Sequence, residues 1–380
     1  MTAQKKTIIA ACLISTAGAI VYLISPILLG SAMESLSLTS GQSGMMISVY
    51  FSGYTLITIS ALYWLPKINS RHVAFYSLVG FIAGLLGAAV STSYAMIVTA
   101  MFISGTGAGM LFGLSIAIIA ETDDPDRYYG VALASQLLLG SVLLFLGPSV
   151  LGPRWGLAGL FVGTAVFVGI MGLSLPWVPE RLGKTKVQAI NEQHNLPTIP
   201  VFIAIGALLI WFTGLSGLYA FIERIGVASG LDGLTIGTVL SFTVITGVSG
   251  ALSAAFIANR FGKIRPHLVG AIGIFLAMYL LLWQPNIVKY AIAICFLTFS
   301  WNFWLAYLLG TIASVDFTGR YSVLTTAALG LGATFGPGIA GKLVEGATFS
   351  PLFVFSNLTI LSGLLMVLWV LSKLKTLKQS

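Results

Sequence analysis

Long apolar runs follow one another along the chain, each separated from the next by a short polar stretch. They cover residues 7–33, 42–64, 73–91, 95–120, 129–152 and 155–178, then 199–222, 233–258, 266–284, 288–313, 321–344 and 351–372. A helix needs about 20 apolar residues to cross the hydrocarbon core of a bilayer. The runs meet that length and lack the polar–apolar alternation of strands, so they predict twelve membrane-spanning helices. The first run, behind Lys5 and Lys6, is too long for a signal peptide and has no clear small-x-small cleavage site, so it is read as a span. The longest polar stretch, 180–198, carries Arg181, Lys184, Lys186, Glu192 and His194 and leaves six runs on each side. That predicts an N-terminal six-helix bundle over 1–179, a linker over 180–198 and a C-terminal six-helix bundle over 199–380.

Composition supports the same class. Of 380 residues, 57% are hydrophobic and 8% charged, against about 25% charged in soluble domains. Such a chain has too little polar surface for water. This excludes a soluble enzyme, a nucleic-acid-binding domain and a disordered chain, and makes the lipid bilayer its main partner. The net charge of +8 is then a topology signal. With both termini cytoplasmic, only Arg154, Arg224, Lys289 and Lys342 of the 19 basic residues fall outside. The positive-inside rule therefore predicts a multi-pass protein, of a bacterial cytoplasmic (inner) membrane, with termini and linker inside. Cys12 and Cys295 lie within apolar runs and are read as buried, without a disulfide. His72, His194 and His267 are read as scattered loop residues with no metal-ligand spacing, so neither metal nor cofactor is expected.

The halves repeat one another. Lys67 and Arg260, Arg127 and Arg320, and Gly44 and Gly237 are each 193 residues apart. Gly147-Pro148 and Gly336-Pro337 are 189 apart, as are Glu34 and Glu223. A near-constant offset across five landmarks predicts an internal duplication, a known transporter architecture.

On these features the chain resembles the major facilitator superfamily over its whole length. The loop after the eighth run, Ala255-Phe-Ile-Ala-Asn-Arg-Phe-Gly-Lys-Ile-Arg-Pro266, resembles the family's loop signature through Arg260, Gly262, Lys263 and Arg265. Asn259 stands where the family usually has Asp. The equivalent first-half loop keeps Lys67 and Arg71 but has Pro66 at the acid position. The resemblance implies a gating role for these loops, while the missing acids argue against its charged latch. Gly332-Ala-Thr-Phe-Gly336-Pro337-Gly-Ile-Ala-Gly341 resembles an antiporter element, displaced to the eleventh run. With Gly147-Pro148 it is read chiefly as packing and a possible helix bend, since proline removes a backbone hydrogen bond. Many proton-coupled relatives carry an Arg in the fourth helix, where this chain has Met101.

Charged side chains inside a span are costly and usually functional, and none stands near the middle of a run. Glu34 and Glu223, at the outer ends of the first and seventh runs, are the candidates for proton coupling. A binding cavity must otherwise be aromatic and neutral. The candidates are Tyr22 and Gln136 in the first half, with Tyr50, Tyr54, Ser104 and Thr106 as further polar groups. In the second half they are Trp211, Tyr219, Ser300, Asn302, Trp304 and Tyr307. Ser300, Trp304 and Tyr307 share a helical face by their i, i+4, i+7 spacing. There is no nucleotide-binding motif, and no paired carboxylates, His cluster or Ser/His arrangement at membrane depth, so an enzyme is not expected. The expected function is secondary active or facilitative transport of a small organic solute by alternating access. An amphipathic or aromatic compound suits such a cavity, with export slightly favoured. Protons or a counter-solute are the expected coupling partners, nucleic acid is not, and a monomer is the expected state. The alternative is a transporter-like membrane sensor or scaffold that does not transport.

Overall fold

Helix is the only regular structure among the described residues of the computed structural model. Those are all residues except 1–2, 65–67, 183–198, 259, 283–284, 317–323, 346–347 and 378–380. Lipid offers the backbone no hydrogen-bond partner, so an apolar span satisfies itself by coiling. The first unit contains α1 (Ala3–Leu36), α2 (Ser40–Trp64), α3 (Ser70–Val90), α4 (Tyr94–Ala120), α5 (Pro125–Leu146) and α6 (Gly152–Gly172). The second contains α7 (Ile199–Ala220), a short α8 (Ile222–Ala228), α9 (Gly233–Ile257), α10 (Ile264–Leu281), α11 (Ile287–Val315), α12 (Leu324–Val344) and α13 (Ser350–Leu377). Runs eight to twelve are thus α9 to α13. The chain divides into compact units at residues 1–188 and 189–380.

Each unit pairs its helices in the same pattern. In the first, α4 packs on α2 and α3, and α1 packs on α5 and α6. In the second, α11 packs on α9 and α10, and α7 packs on α12 and α13. The duplication read from residue offsets therefore recurs as duplicated packing. The tight crossing uses glycine both times. Gly105 of α4 lies against the Tyr50 backbone of α2, while Gly250 of α9 lies against the Phe299 backbone of α11. A side chain at either glycine would overlap that backbone.

The boundary between runs five and six differs from the sequence reading. Backbone helix continues from α5 through a π-turn at Gly147–Leu151 into α6, so a single apolar helical stretch covers Arg127–Trp177. The reversal comes at Gly156, with φ 58° and ψ −150°, beyond the expected break near Gly152. A left-handed φ is cheap only for glycine. The Leu157 N–H freed by the kink is satisfied by Ser35 Oγ of α1, at 3.1 Å. Run six also ends early as an α-helix, and its tail forms the 3₁₀ turn Leu175–Trp177.

Candidate functional site

The second unit contains a continuous chain of rings. Tyr219 (α7) meets Trp301 (α11) edge-on at 5.5 Å, Trp301 meets Phe212 at 5.8 Å, and Phe212 neighbours Trp211 at 6.0 Å. Trp211 then meets Trp304 at 5.6 Å and an interplanar angle of 63°. T-shaped pairs set a ring's positive edge against its neighbour's negative face, which orients as well as packs them. Trp211 and Trp304 are fully buried, while Phe212, Tyr219 and Trp301 keep 7 to 8% of their surface. Helical spacing explains the order: α7 presents positions 211, 212 and 219, and α11 presents 301 and 304.

Ser300, Trp304 and Tyr307 do share a face, and it packs within the bundle, towards α10. Gly270 of α10 lies under the Trp304 ring and Gly273 lies against Ser300 Oγ. Trp304 Nε1 donates to His267 Nδ1 at 2.8 Å, and His267 Nε2 lies 3.0 Å from Thr311 Oγ1. Tyr307 Oη donates to the Ala258 carbonyl at 2.9 Å, tying α11 to the C-terminal end of α9. Asn302 faces the other way, near Gly247 of α9, with Nδ2 donating to its own helix at the Thr298 carbonyl, 2.9 Å away. His267 corrects the loop assignment: it stands one turn inside α10 with no exposed surface, because the helix already begins at Ile264. His72 is in the first turn of α3, and His194 lies outside the described residues.

In the first unit, aromatic rings join α1, α2 and α4. Phe51 sits between Tyr22 at 5.7 Å, Tyr50 at 5.0 Å and Tyr54 at 6.0 Å, and Tyr54 meets Phe112 at 5.9 Å. Gln136 Nε2 donates to Ser15 Oγ at 2.7 Å, so its amide bonds α5 to α1. Ser104 donates to the Phe81 carbonyl of α3, and Thr106 to its own helix. Met101 is fully buried.

The two candidate coupling acids differ. Glu34 is exposed near the end of α1. Glu223 stands in the first turn of the separate helix α8 and is 6% exposed. Arg224 grips both its oxygens at 2.6 Å, a bidentate pair that favours the ionised carboxylate.

The loop residues also differ in their surroundings. Lys67 and Asn259 lie outside the described residues. Arg71 pairs with Glu180 at 3.1 Å and donates to the Val178 carbonyl at 3.1 Å, fastening the start of α3 to the end of the first unit. Glu180 was not legible as the partner of Arg71, because the two stand 109 positions apart and the short loop itself contains no acid. In the second unit, Arg260 lies over the Phe256 ring at 4.9 Å. Gly262 has φ 72°, which permits the turn into α10, where Lys263 is the N-cap and Arg265 is exposed. Gly147 and Pro148 form the π-turn, whereas Gly336 and Pro337 lie inside α12. A Cβ at Gly336 would stand 2.5 Å from the Thr213 carbonyl, so this element lets α12 approach α7. Ser216 Oγ bonds across the same crossing to the Gly332 carbonyl at 2.9 Å.

A cavity of about 330 Å³ opens between α9 and α11. Its walls are alanines and glycine, with Lys263, Tyr307 and Thr311 as the polar members.

The profile of the Major Facilitator Superfamily matches residues 8–318. The chain is 23% identical over 339 residues to the "uncharacterized MFS-type transporter YceJ" of Bacillus subtilis (strain 168), covering 85% of each chain. It is 23% identical over 256 residues to the "uncharacterized MFS-type transporter YcaD" of Salmonella paratyphi B, covering 66% of this chain and 65% of that one. Among solved structures it resembles a D-xylose-proton symporter, with a TM-score of 0.75, 16% identity and 96% coverage of both chains. It also resembles the nucleoside transporter NupG, with a TM-score of 0.72, 14% identity and coverage of 98% of this chain and 99% of that one. The duplicated helix pairing, the apolar spans and the profile match agree: this multi-pass membrane protein belongs to the Major Facilitator Superfamily.

Proposed function

We propose that the protein is a secondary transporter of a small organic solute, working by alternating access between two six-helix halves. The observation that carries this reading is the neutral, aromatic character of the packed spans. Acidic and basic side chains with described placements stand at helix ends, at turns or in α8, while α7 and α11 supply Phe212, Tyr219 and Trp301. A charged solute would leave an unpaired charge in such surroundings. An amphipathic or aromatic solute would stack on these rings, and export is the direction we favour. The structural likeness to a D-xylose-proton symporter and a nucleoside transporter makes sugars and nucleosides solute chemistries worth including.

Coupling is assigned to protons or a counter-solute. Glu34 is the more accessible of the two acids, because Glu223 must first release Arg224. A bacterial inner membrane with cytoplasmic termini is the expected setting. The test is flux in proteoliposomes reconstituted with purified protein, against a panel of aromatic, sugar and nucleoside solutes, with and without a pH gradient. Saturable flux weakened about tenfold or more by Trp301→Ala, with folded protein retained, supports the reading. No flux for any solute while ligand-induced thermal shifts persist would favour a sensor.

A further inference from the structure

His267 is bonded at both ring nitrogens, and its two partners differ in kind. The Trp304 indole N–H can only donate, so Nδ1, 2.8 Å away, is the bare nitrogen. Nε2 therefore carries the ring proton and donates to Thr311 Oγ1 at 3.0 Å. The arrangement accommodates one protonation state, the neutral imidazole. A second ring proton would set N–H against N–H at Nδ1 and expel Trp304 from its contact. Trp304 is the α11 ring that meets Trp211 of α7, so that contact reaches a third helix. Thr311 is also a wall of the cavity beside Lys263, where there is room for water.

We propose that His267 is a proton-binding site of the second bundle, adjoining the Lys263–Thr311 cavity, and that its occupancy decides whether Trp304 stays bonded to α10. In the step, one proton from water binds Nδ1, the Trp304 N–H loses its acceptor, and the imidazole becomes a cation that still donates from Nε2. Other groups set the local field. Lys263 on the same helix is the charge that reaches the ring, and Arg265 is exposed. From α11, the Tyr307 ring lies 6.2 Å from the imidazole, and Asp316 is buried beyond Thr311 at the helix end. On α13, Lys373 lies over Trp369. Each imidazole nitrogen bonds a neutral group, so no carboxylate bonded to the ring compensates a cation there.

The proposal goes beyond the transport reading and can be tested with no solute in hand. Purified full-length protein in detergent is titrated from about pH 8 to about pH 3, a range that extends well below the ordinary histidine value, following tryptophan emission and thermal unfolding. The wild type is expected to show one reversible emission change. His267→Gln keeps a donor and an acceptor but cannot titrate, and is expected to remove the change. Trp304→Phe takes away the donor that competes with the proton. It is expected to move the pH midpoint of thermal stability upward by roughly half to one pH unit. A wild type with no transition, or His267→Gln with the wild-type transition, would overturn the proposal. If His267→Gln does not fold, Trp304→Phe decides alone, and an unmoved midpoint overturns it.

Discussion

Asp232 shows how much one side chain does at a helix start. Its carboxylate accepts the Thr235 N–H at 2.7 Å as the N-cap of α9. The hydrogen bonds from Thr235, chiefly its backbone N–H, hold this exposed carboxyl below the usual carboxylate range. A carboxyl lowered on folding stabilises above its unfolded value of about 3.9 and loses that contribution as pH falls through the lower folded value. Asp232→Ala is therefore expected to melt below the wild type at pH 7, with the gap closing under acid, and Asp232→Asn to keep most of the cap. Thermal unfolding at several pH values checks both. Asp before an apolar run is a local signal, and the sequence displays it. The His267 contacts are not local: Thr311 lies 44 positions away and Trp304 37. No spacing rule joins them, because α10 and α11 meet only when the bundle packs.

At the scale of elements, the helices were legible as apolar runs, while their crossings and some of their ends were not. Gly105 reads in sequence as the glycine four residues after Met101, with no contact assigned to it. In the fold it is where α2 and α4 come closest, against the Tyr50 backbone. Gly105→Leu is expected to cost about 1–3 kcal/mol through overpacking, whereas a Cβ at Gly80 meets nothing within 4 Å and Gly80→Ala is expected to be near neutral. Thermal unfolding of the two variants in one detergent measures the difference. The π-turn at Gly147–Leu151 and the reversal at Gly156 moved the fifth helix's end past its apparent Gly-Pro break. Ser35 of α1 made that end possible by capping Leu157, a partner 122 positions away. The short α8 has a related cause: Glu223 reads as the outer end of the seventh run, yet it stands in the first turn of a separate helix, where it pairs with Arg224 while Tyr290 of α11 donates to the Ile222 carbonyl at 3.0 Å.

For the whole molecule, the basic residues carry a topological prediction. Residue 191, in the linker outside the described residues, is expected to be cytoplasmic. A single cysteine there is expected to resist an impermeant thiol reagent in intact cells and to react after permeabilisation. Rapid labelling in intact cells would invert the orientation. Run length, charge bias and the offsets of 193 and 189 determined the membrane class, the succession of apolar spans and the duplication. They could do so because a bilayer selects helices by length and apolarity, and a duplication preserves spacing. Tertiary structure alone decided which rings touch, that His267 is buried and bonded to Trp304 and Thr311, and that Arg71 meets Glu180. Those pairings depend on helix rotation and closest approach, which are set by packing among side chains distant in sequence, and a one-dimensional pattern contains no distance between helices.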